Sequence, residues 1–228
     1  MELIRRPRTP AARTYAYTPL PEGRTPWRGA GFCVVDLETT GLNPGMDEIV
    51  SFAAIPVDGG RVMPGGLVTR VVKPERMPPP ETIRIHGFRP MDLVDAPPLA
   101  DVLDDLLEAM CGRILVAHVA WVERRFLGAA FRGHGVRLRG KAVDTARLGP
   151  AVLGRQPGDR GLGLGELARK LGLPIHRAHT ADGDALTTAQ AFIALAARLD
   201  GSRPQTVRSL LRLGRGREPR YRPPRRRA

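Results

Sequence analysis

The apolar run that opens at Phe32 closes on two carboxylates, Asp36 and Glu38, in the string VVDLETTGL. Side chains alternate across a strand, so residues two apart share one face. Two acids side by side repel each other and are stable together chiefly when a cation or a shared proton lies between them. A metal site is therefore the first expectation. A bare DxE also fits a solvated strand end that turns at Gly41. The downstream pairing of His179 with Asp184 shifts the reading toward the metal.

Around that strand the pattern reads as an antiparallel meander followed by strand and helix alternation. Three strands are expected in succession: Phe32 to Glu38, Glu48 to Val57, and Arg61 to Val72. Asp58, Gly59 and Gly60 supply a tight hairpin turn between the second and third. A proline-rich crossing, Pro74 to Pro80, leads to Thr82, Ile83, Arg84, Ile85 and His86. Leu99 to Met110 has helical spacing and stops at Gly112. Arg113 to His118 reads as a short buried strand, Ala120 to Arg132 as an amphipathic helix, and Ala142 to Asp144 as a further strand. Leu164 to Leu171 is helical, with Gly172 as its stop and Pro174 beyond. Asp182 to Leu199 carries one apolar stripe through Ala185, Leu186, Ala189, Phe192, Ile193 and Ala196.

The net charge of +13 is unevenly distributed. Residues 1–30 hold six basic and two acidic side chains, residues 201–228 hold ten and one, and residues 31–200 hold twenty of each. The expected organisation is a basic N-terminal arm over 1–30, a neutral domain over 31–200 and a basic arginine-rich tail over 201–228. Both ends are rich in Pro, Gly and Arg, so flexible arms are expected. Such arms raise affinity for a polyanion through counterion release; a merely solubilising tail is the alternative. Val207, Leu210 and Leu211 allow a short basic amphipathic helix within the tail.

No apolar run reaches membrane-spanning length, so no membrane partner is expected. The N-terminal string has charge and proline but no apolar core of a secretory signal. Cys33 and Cys111 make neither a disulfide framework nor a zinc spacing. A reducing, cytoplasmic setting is expected.

The chemistry concentrates in two further strings. His179, Thr180, Ala181, Asp182, Gly183 and Asp184 form HxAxxD at the start of the last long helix. Five residues turn about 500° around a helix, so His179 is expected in the preceding loop, with Thr180 or Asp182 as cap. Asp184 then points inward from the first turn. In LVAHVAWVERRFL, Leu115 to Ala117 are strand-like, His118 and Val119 turn the chain, and Glu123 lies near a helix start. A glutamate there is also commonly a solvent-facing residue of a first turn. Acidic elements plus a histidine at strand ends and helix starts fit a two-cation phosphodiester site. Oxygen ligands suit Mg2+ or Mn2+.

With these strings in order, the chain resembles the DEDDh 3′-to-5′ exonucleases, the family of the proofreading epsilon subunit of bacterial DNA polymerase III, over about residues 30–199. The motifs that carry it are DLETTGL at Asp36, AHVAWVE at His118 to Glu123, and HTADGD at His179. The resemblance implies an α/β, ribonuclease H-like exonuclease fold. Its central mixed sheet would have three antiparallel strands and then parallel ones, flanked by helices. By position it implies Asp36, Glu38, Glu123 and Asp184 as ligands of two Mg2+ or Mn2+ ions, and His179 as general base. It places substrate contacts at Leu37, Thr39, Thr40, Gly41, Leu42, His86, His118, Val119 and Val122. Asp144 matches a supporting position rather than a ligand.

The second motif departs from the family pattern, with Val119 for asparagine, Val122 for phenylalanine and Glu123 for aspartate. Glutamate keeps the charge and reaches roughly 1.5 Å further. The implied activity is stepwise hydrolysis from the 3′ end of single-stranded DNA, in proofreading or repair, releasing nucleoside 5′-monophosphates. A DNA polymerase or repair partner through the basic tail is a further expectation. Two other readings stay open: a non-catalytic exonuclease-like module that binds a polymerase or nucleic acid, and a 3′-to-5′ exoribonuclease.

Overall fold

The computed structural model describes residues 6–154 and 162–215 of the 228. Its centre is a mixed sheet of six strands: β1 (Phe32–Thr39), β2 (Ile49–Asp58), β3 (Arg61–Val62), β4 (Val68–Val71), β5 (Ile114–Ala117) and β6 (Ala142–Asp144). The order runs β3-β2-β1-β5-β6, with β4 also on β2. Pairing is antiparallel from β1 through β2 to β3 and β4, and parallel from β1 through β5 to β6. This is the mixed architecture the sequence predicts.

The turn between β2 and β3 follows from its glycines. Gly59 and Gly60 both sit at positive φ, 62° and 72°, as a two-residue hairpin turn requires, and they bring Asp58 opposite Arg61. The third expected strand, 61–72, is broken in two. Pro64–Gly66 forms a 3-10 turn between β3 and β4, because Pro64 has no N–H to give to a ladder. Both halves still pair with β2, at separate places along it.

Helices cover both faces. They are α1 (Pro10–Tyr17), α2 (Pro80–His86), α3 (Pro90–Leu93), α4 (Leu99–Met110), α5 (Trp121–Gly133), α6 (Thr145–Leu153), α7 (Leu164–Leu171), α8 (Ala181–Ser202) and α9 (Val207–Leu213). β1 distributes its side chains by alternation. Cys33, Val35 and Leu37 enter one core cluster with Leu103, Leu107, Phe126 and Phe131 from α4 and α5. Phe32 and Val34 enter the other with Leu148, Leu167, Ala185, Ala189 and Phe192 from α6, α7 and α8. Phe32 and Phe192 meet as a tilted pair at 4.8 Å between ring centres, and burying one such ring contributes roughly 1.5–3 kcal/mol. The alanines of α8 let that helix lie close on β1 and β2. Asp36 and Glu38 have the same parity as Phe32 and Val34, so they face α8.

The terminal segments, where described, pack partly against the domain. Ala12 and Tyr15 of α1 are buried against the α4 and α5 layer, and the Tyr15 hydroxyl accepts from Arg139 N at 3.0 Å. Trp27 is buried under α8. On the C-terminal side, Val207 and Leu210 of α9 are buried. Val207 N donates to Thr25 O at 3.0 Å and Arg208 N to Gly23 O at 2.9 Å, so the two ends are stitched together. The expectation of loose arms missed this because Ala12, Tyr15 and Trp27 are apolar singles among prolines and arginines, with no readable period. The remainder of the basic tail, residues 216–228, and residues 1–5 lie outside the described residues. Among the described residues no helix is long and apolar enough to cross a membrane.

Candidate active site

β1 delivers Asp36 and Glu38 opposite Ala53 and Ser51 of β2, just before a register shift at Glu38 and Thr39 ends the regular ladder. Above them α8 begins. Thr180 is its N-cap, accepting from Gly183 N at 3.3 Å, and Asp184 lies in its first turn. Asp36, Glu38 and Asp184 each offer a carboxylate oxygen, all within 4.8 Å of one another. Glu123, in the first turn of α5, is 4% exposed. Its Oε2 is buried with no hydrogen-bond partner among the described residues.

The electrostatics follow from this crowding. Burial pushes the Asp36 carboxyl well above the usual carboxylate range, and the charges of Glu123, Glu38 and Asp184 push it further. Burial, and then Asp184, raise Glu38 to about 7. Glu123 is raised by burial, with the Asp144 charge adding to it. Asp184 is raised by burial against an opposing pull from His179, whose backbone N donates to Asp184 Oδ2 at 3.1 Å. Buried acids crowded in this way, with three neighbouring charges acting on Asp36, hold protons or bind a cation. The oxygens of Asp36, Glu38 and Asp184 are spaced to hold a metal ion.

His179 lies in the loop before α8, as its spacing predicts. It is exposed and adopts φ 63°, and its charge acts on Asp184. The loop is fastened from below: His176 N donates to Thr187 Oγ1 at 3.1 Å, and the His176 Nε2 meets Gln190 Oε1 at 3.1 Å. Gly183 makes the close approach possible. A Cβ there would stand 2.4 Å from Arg177 O and 2.7 Å from His176 O.

The second motif sits where β5 ends. Val119 has φ 65°, a conformation that β-branched residues rarely adopt. Asp144 holds it there: its Oδ1 accepts from Val119 N at 3.0 Å and from Ala146 N at 2.9 Å, capping α6 as well. His118 Nδ1 meets Thr145 Oγ1 at 3.0 Å, and burial drives the imidazole down to about 4. In the β1–β2 connection, Thr39 Oγ1 donates to Gly41 O at 2.6 Å, and Glu48 N donates to Thr40 Oγ1 at 3.0 Å. Leu42 is 57% exposed at the tip.

The structure thus brings Asp36, Glu38 and Asp184 together, with Glu123 near enough for its charge to act on Asp36 and the backbone of His179 bonded to Asp184. Thr39, Thr40, Gly41 and Leu42 continue directly from β1, while His118 and Val119 join through Thr145 and Asp144. Leu37 and Val122 pack their side chains into the α4 and α5 core layer, away from the acid face. His86 closes α2, with Nδ1 accepting from Phe88 N at 3.0 Å and Nε2 buried without a partner among the described residues. Sequence reasoning missed Asp47, whose Oδ2 accepts from Asn43 N at 2.8 Å and ties the loop beyond Gly41. It also passed over Gly183 and Thr145. The Asn43 to Asp47 spacing is a turn signal that could have revealed the first.

Comparison with known proteins agrees with this geometry. The family model RNase_T, described as Exonuclease, matches residues 33–192. A DNA polymerase III subunit epsilon-like protein of Rhodobacter capsulatus is 35% identical over 174 residues, covering 75% of this chain and 24% of that protein. The chain therefore spans about a quarter of that relative's length. The DNA polymerase III subunit epsilon of Treponema pallidum is 31% identical over 173 residues, covering 73% of this chain and 76% of that one. Among solved structures, Exonuclease X in complex with 5′ overhanging duplex DNA superposes with a TM-score of 0.63 at 22% identity, covering 80% of this chain and 99% of that chain. At that identity the likeness speaks for the ribonuclease H-like fold.

Proposed function

The chain belongs to the RNase_T exonuclease family, and on that premise we propose that it hydrolyses single-stranded DNA stepwise from the 3′ end, releasing nucleoside 5′-monophosphates. The observation that carries the reading is the convergence of Asp36, Glu38 and Asp184 within 4.8 Å beside the buried, unpartnered Oε2 of Glu123. A structural cluster would have hydrogen-bonded that oxygen or placed a guanidinium against it.

The donor set fits divalent cations of the Mg2+ or Mn2+ kind: all oxygen, all carboxylate, and too crowded to ionise together otherwise. Asp36, Glu38 and Asp184 would hold one ion, and Asp36 with Glu123 would serve the second. When bound, such ions lower the pKa of a water and offset charge on the reacting phosphate. His179 takes the proton of the attacking water, from a loop position that Asp184 and Gly183 fix. Each cycle forms a bond from the water oxygen to phosphorus and breaks the bond to the 3′ oxygen of the penultimate nucleotide. Thr39 to Leu42 and His86 flank the terminal nucleotide. Asp144, by holding the Val119 turn, sets where α5 begins and hence where Glu123 points.

Val119 stands where the family has asparagine, but the turn itself survives, because the Asp144 bond is to the backbone N–H. This supports an active enzyme over a purely binding module. A polymerase or repair partner and a cytoplasmic setting belong to the same proposal, in keeping with relatives named as polymerase III subunits.

The test is a 5′-labelled DNA strand incubated with the purified chain and Mg2+ or Mn2+. The proposal expects a ladder shortened from the 3′ end that disappears with chelator and in Asp36→Ala. No ladder with either metal, alongside retained strand binding, would establish the binding module instead; RNA cleaved in preference to DNA would reassign the substrate.

A further inference from the structure

The helix that supplies Glu123 opens on a tryptophan that the core does not use. Val122, Phe126, Leu127, Ala130 and Phe131 of α5 pack into the core layer beneath it, whereas Trp121 belongs to neither core layer and is partly exposed. A large aromatic left at the surface is the less common fate of such a residue and fits a contact with something outside the fold. Its place in the chain says where that contact lies. Trp121 is the first residue of α5, and helical side chains tilt toward the N-terminal end of their helix, so the indole leans back over the turn from β5. That turn carries Val119, which is 37% exposed at φ 65°. Two residues beyond Trp121, buried Glu123 stands close enough to Asp36 for its charge to act there. The ring therefore borders the acids without joining them.

The indole is also held. The Arg125 guanidinium, one helical turn on, lies over it at 5.5 Å from the ring centre, within cation–π range. Behind the pair the sequence becomes one-signed: residues 124–143 carry six basic side chains and no acidic one. Arg132, Arg137 and Lys141 are exposed along this stretch. Arg124 Nη1 donates to Gly140 O at 3.1 Å, which ties the loop before β6 to α5 and keeps both parts of the stretch together. A flat aromatic beside a guanidinium, followed by cations, is the chemistry that takes an unpaired nucleobase and its backbone phosphates. Bases inside a duplex are already stacked on both faces, so such a ring favours a single strand.

We propose that Trp121, braced by Arg125, is a stacking platform for an unpaired base of the bound strand, placed just behind the acids. That this base lies near a 3′ end rests on the exonuclease reading; the stacking itself does not.

The chain has two tryptophans, and Trp27 is 1% exposed, so a change in indole emission on adding a strand reports Trp121. Oligothymidylate titrated in chelator is expected to quench the emission of the full chain and to leave that of Trp121→Phe unchanged. Trp121→Ala and Trp121→Leu, the second keeping apolar bulk without the ring, should each raise Kd about tenfold, and Trp121→Phe by no more than about threefold. A single abasic site is then walked along the oligonucleotide. At one position it should weaken binding to the full chain about tenfold and binding to Trp121→Leu by no more than about twofold, because ring and base act as one contact. Absence of quenching would overturn the proposal, as would full affinity in Trp121→Leu or an abasic penalty of equal size in both proteins at every position. Strand binding with this coupling but no hydrolysis in Mg2+ or Mn2+ would defeat the exonuclease reading and leave the platform standing.

Discussion

Val119 is where this sequence works hardest against its own conformation. The left-handed region costs an ordinary L-residue roughly 1–2 kcal/mol and costs asparagine less, yet the Asp144 carboxylate keeps Val119 at φ 65°. Val119→Asn is therefore expected to stabilise the protein by about 1 kcal/mol, raising Tm by about 2–4 °C in calorimetry; a lower Tm would mean the turn is not strained. The acids make a second prediction. Glu38 lies at about 7 in the fold against an ordinary 4.5, and Asp36 is raised further by burial and its neighbours. Through that window the folded chain binds more protons than the unfolded one, so metal-free stability falls as pH rises from about 4.5 through 7 and beyond. On the proposed reading, divalent cations would take the place of those protons. Their stabilisation should be larger at pH 8 than at pH 5, read as the shift in Tm on adding Mn2+ at each pH. A metal-free Tm that climbs across this range would contradict the arrangement of the acids.

Gly183 carries the argument from residue to element. Replacing a helical glycine by alanine ordinarily stabilises by up to about 1 kcal/mol, but here the added Cβ would meet Arg177 O at 2.4 Å. Gly183→Ala should instead destabilise by about 1–3 kcal/mol, as overpacking does, and should lower kcat more than it raises KM because the loop bearing His179 is displaced. Equal or higher stability in urea unfolding would show that the loop does not need this approach. Elements with a clean period were legible in sequence: α4, α7 and the buried strands β1, β5 and β6 fall where their apolar spacing puts them. α6 was not. Asp144 both ends β6 and caps α6, leaving no linker to signal a new element, and Gly149 and Pro150 read as breakers. The helix has reason to keep Gly149, where a Cβ would stand 2.9 Å from Leu167 Cδ1. Similarly, α2 was hidden by the prolines that open it. Of the proposed site, Asp36, Glu38 and Asp184, which the structure brings together, stand in strings that sequence alone singles out. The supports at Asp47, Thr145 and Gly183 were not legible, since no periodicity encodes them: Asp47 and Gly183 meet backbone atoms and Thr145 meets the His118 ring.

At the scale of the whole molecule, the basic ends belong partly to the fold. Tyr15 is 2% exposed and meets Phe131 edge-on at 5.2 Å, so Tyr15→Ala should cost about 3–4 kcal/mol. In a loose arm the same change would lie within about 0.5 kcal/mol, and chemical denaturation separates the two. The two core layers meet across β1, and that strand carries its two acids to the place where α5 and α8 begin. The proposed site depends on that meeting point. The most direct measurement is the anomalous scattering of a crystal soaked in Mn2+. The account predicts manganese among Asp36, Glu38 and Asp184, with Glu123 turned toward it, and no manganese there in Asp36→Ala. Carboxylates that remain bare at saturating Mn2+ and pH 8 would contradict it.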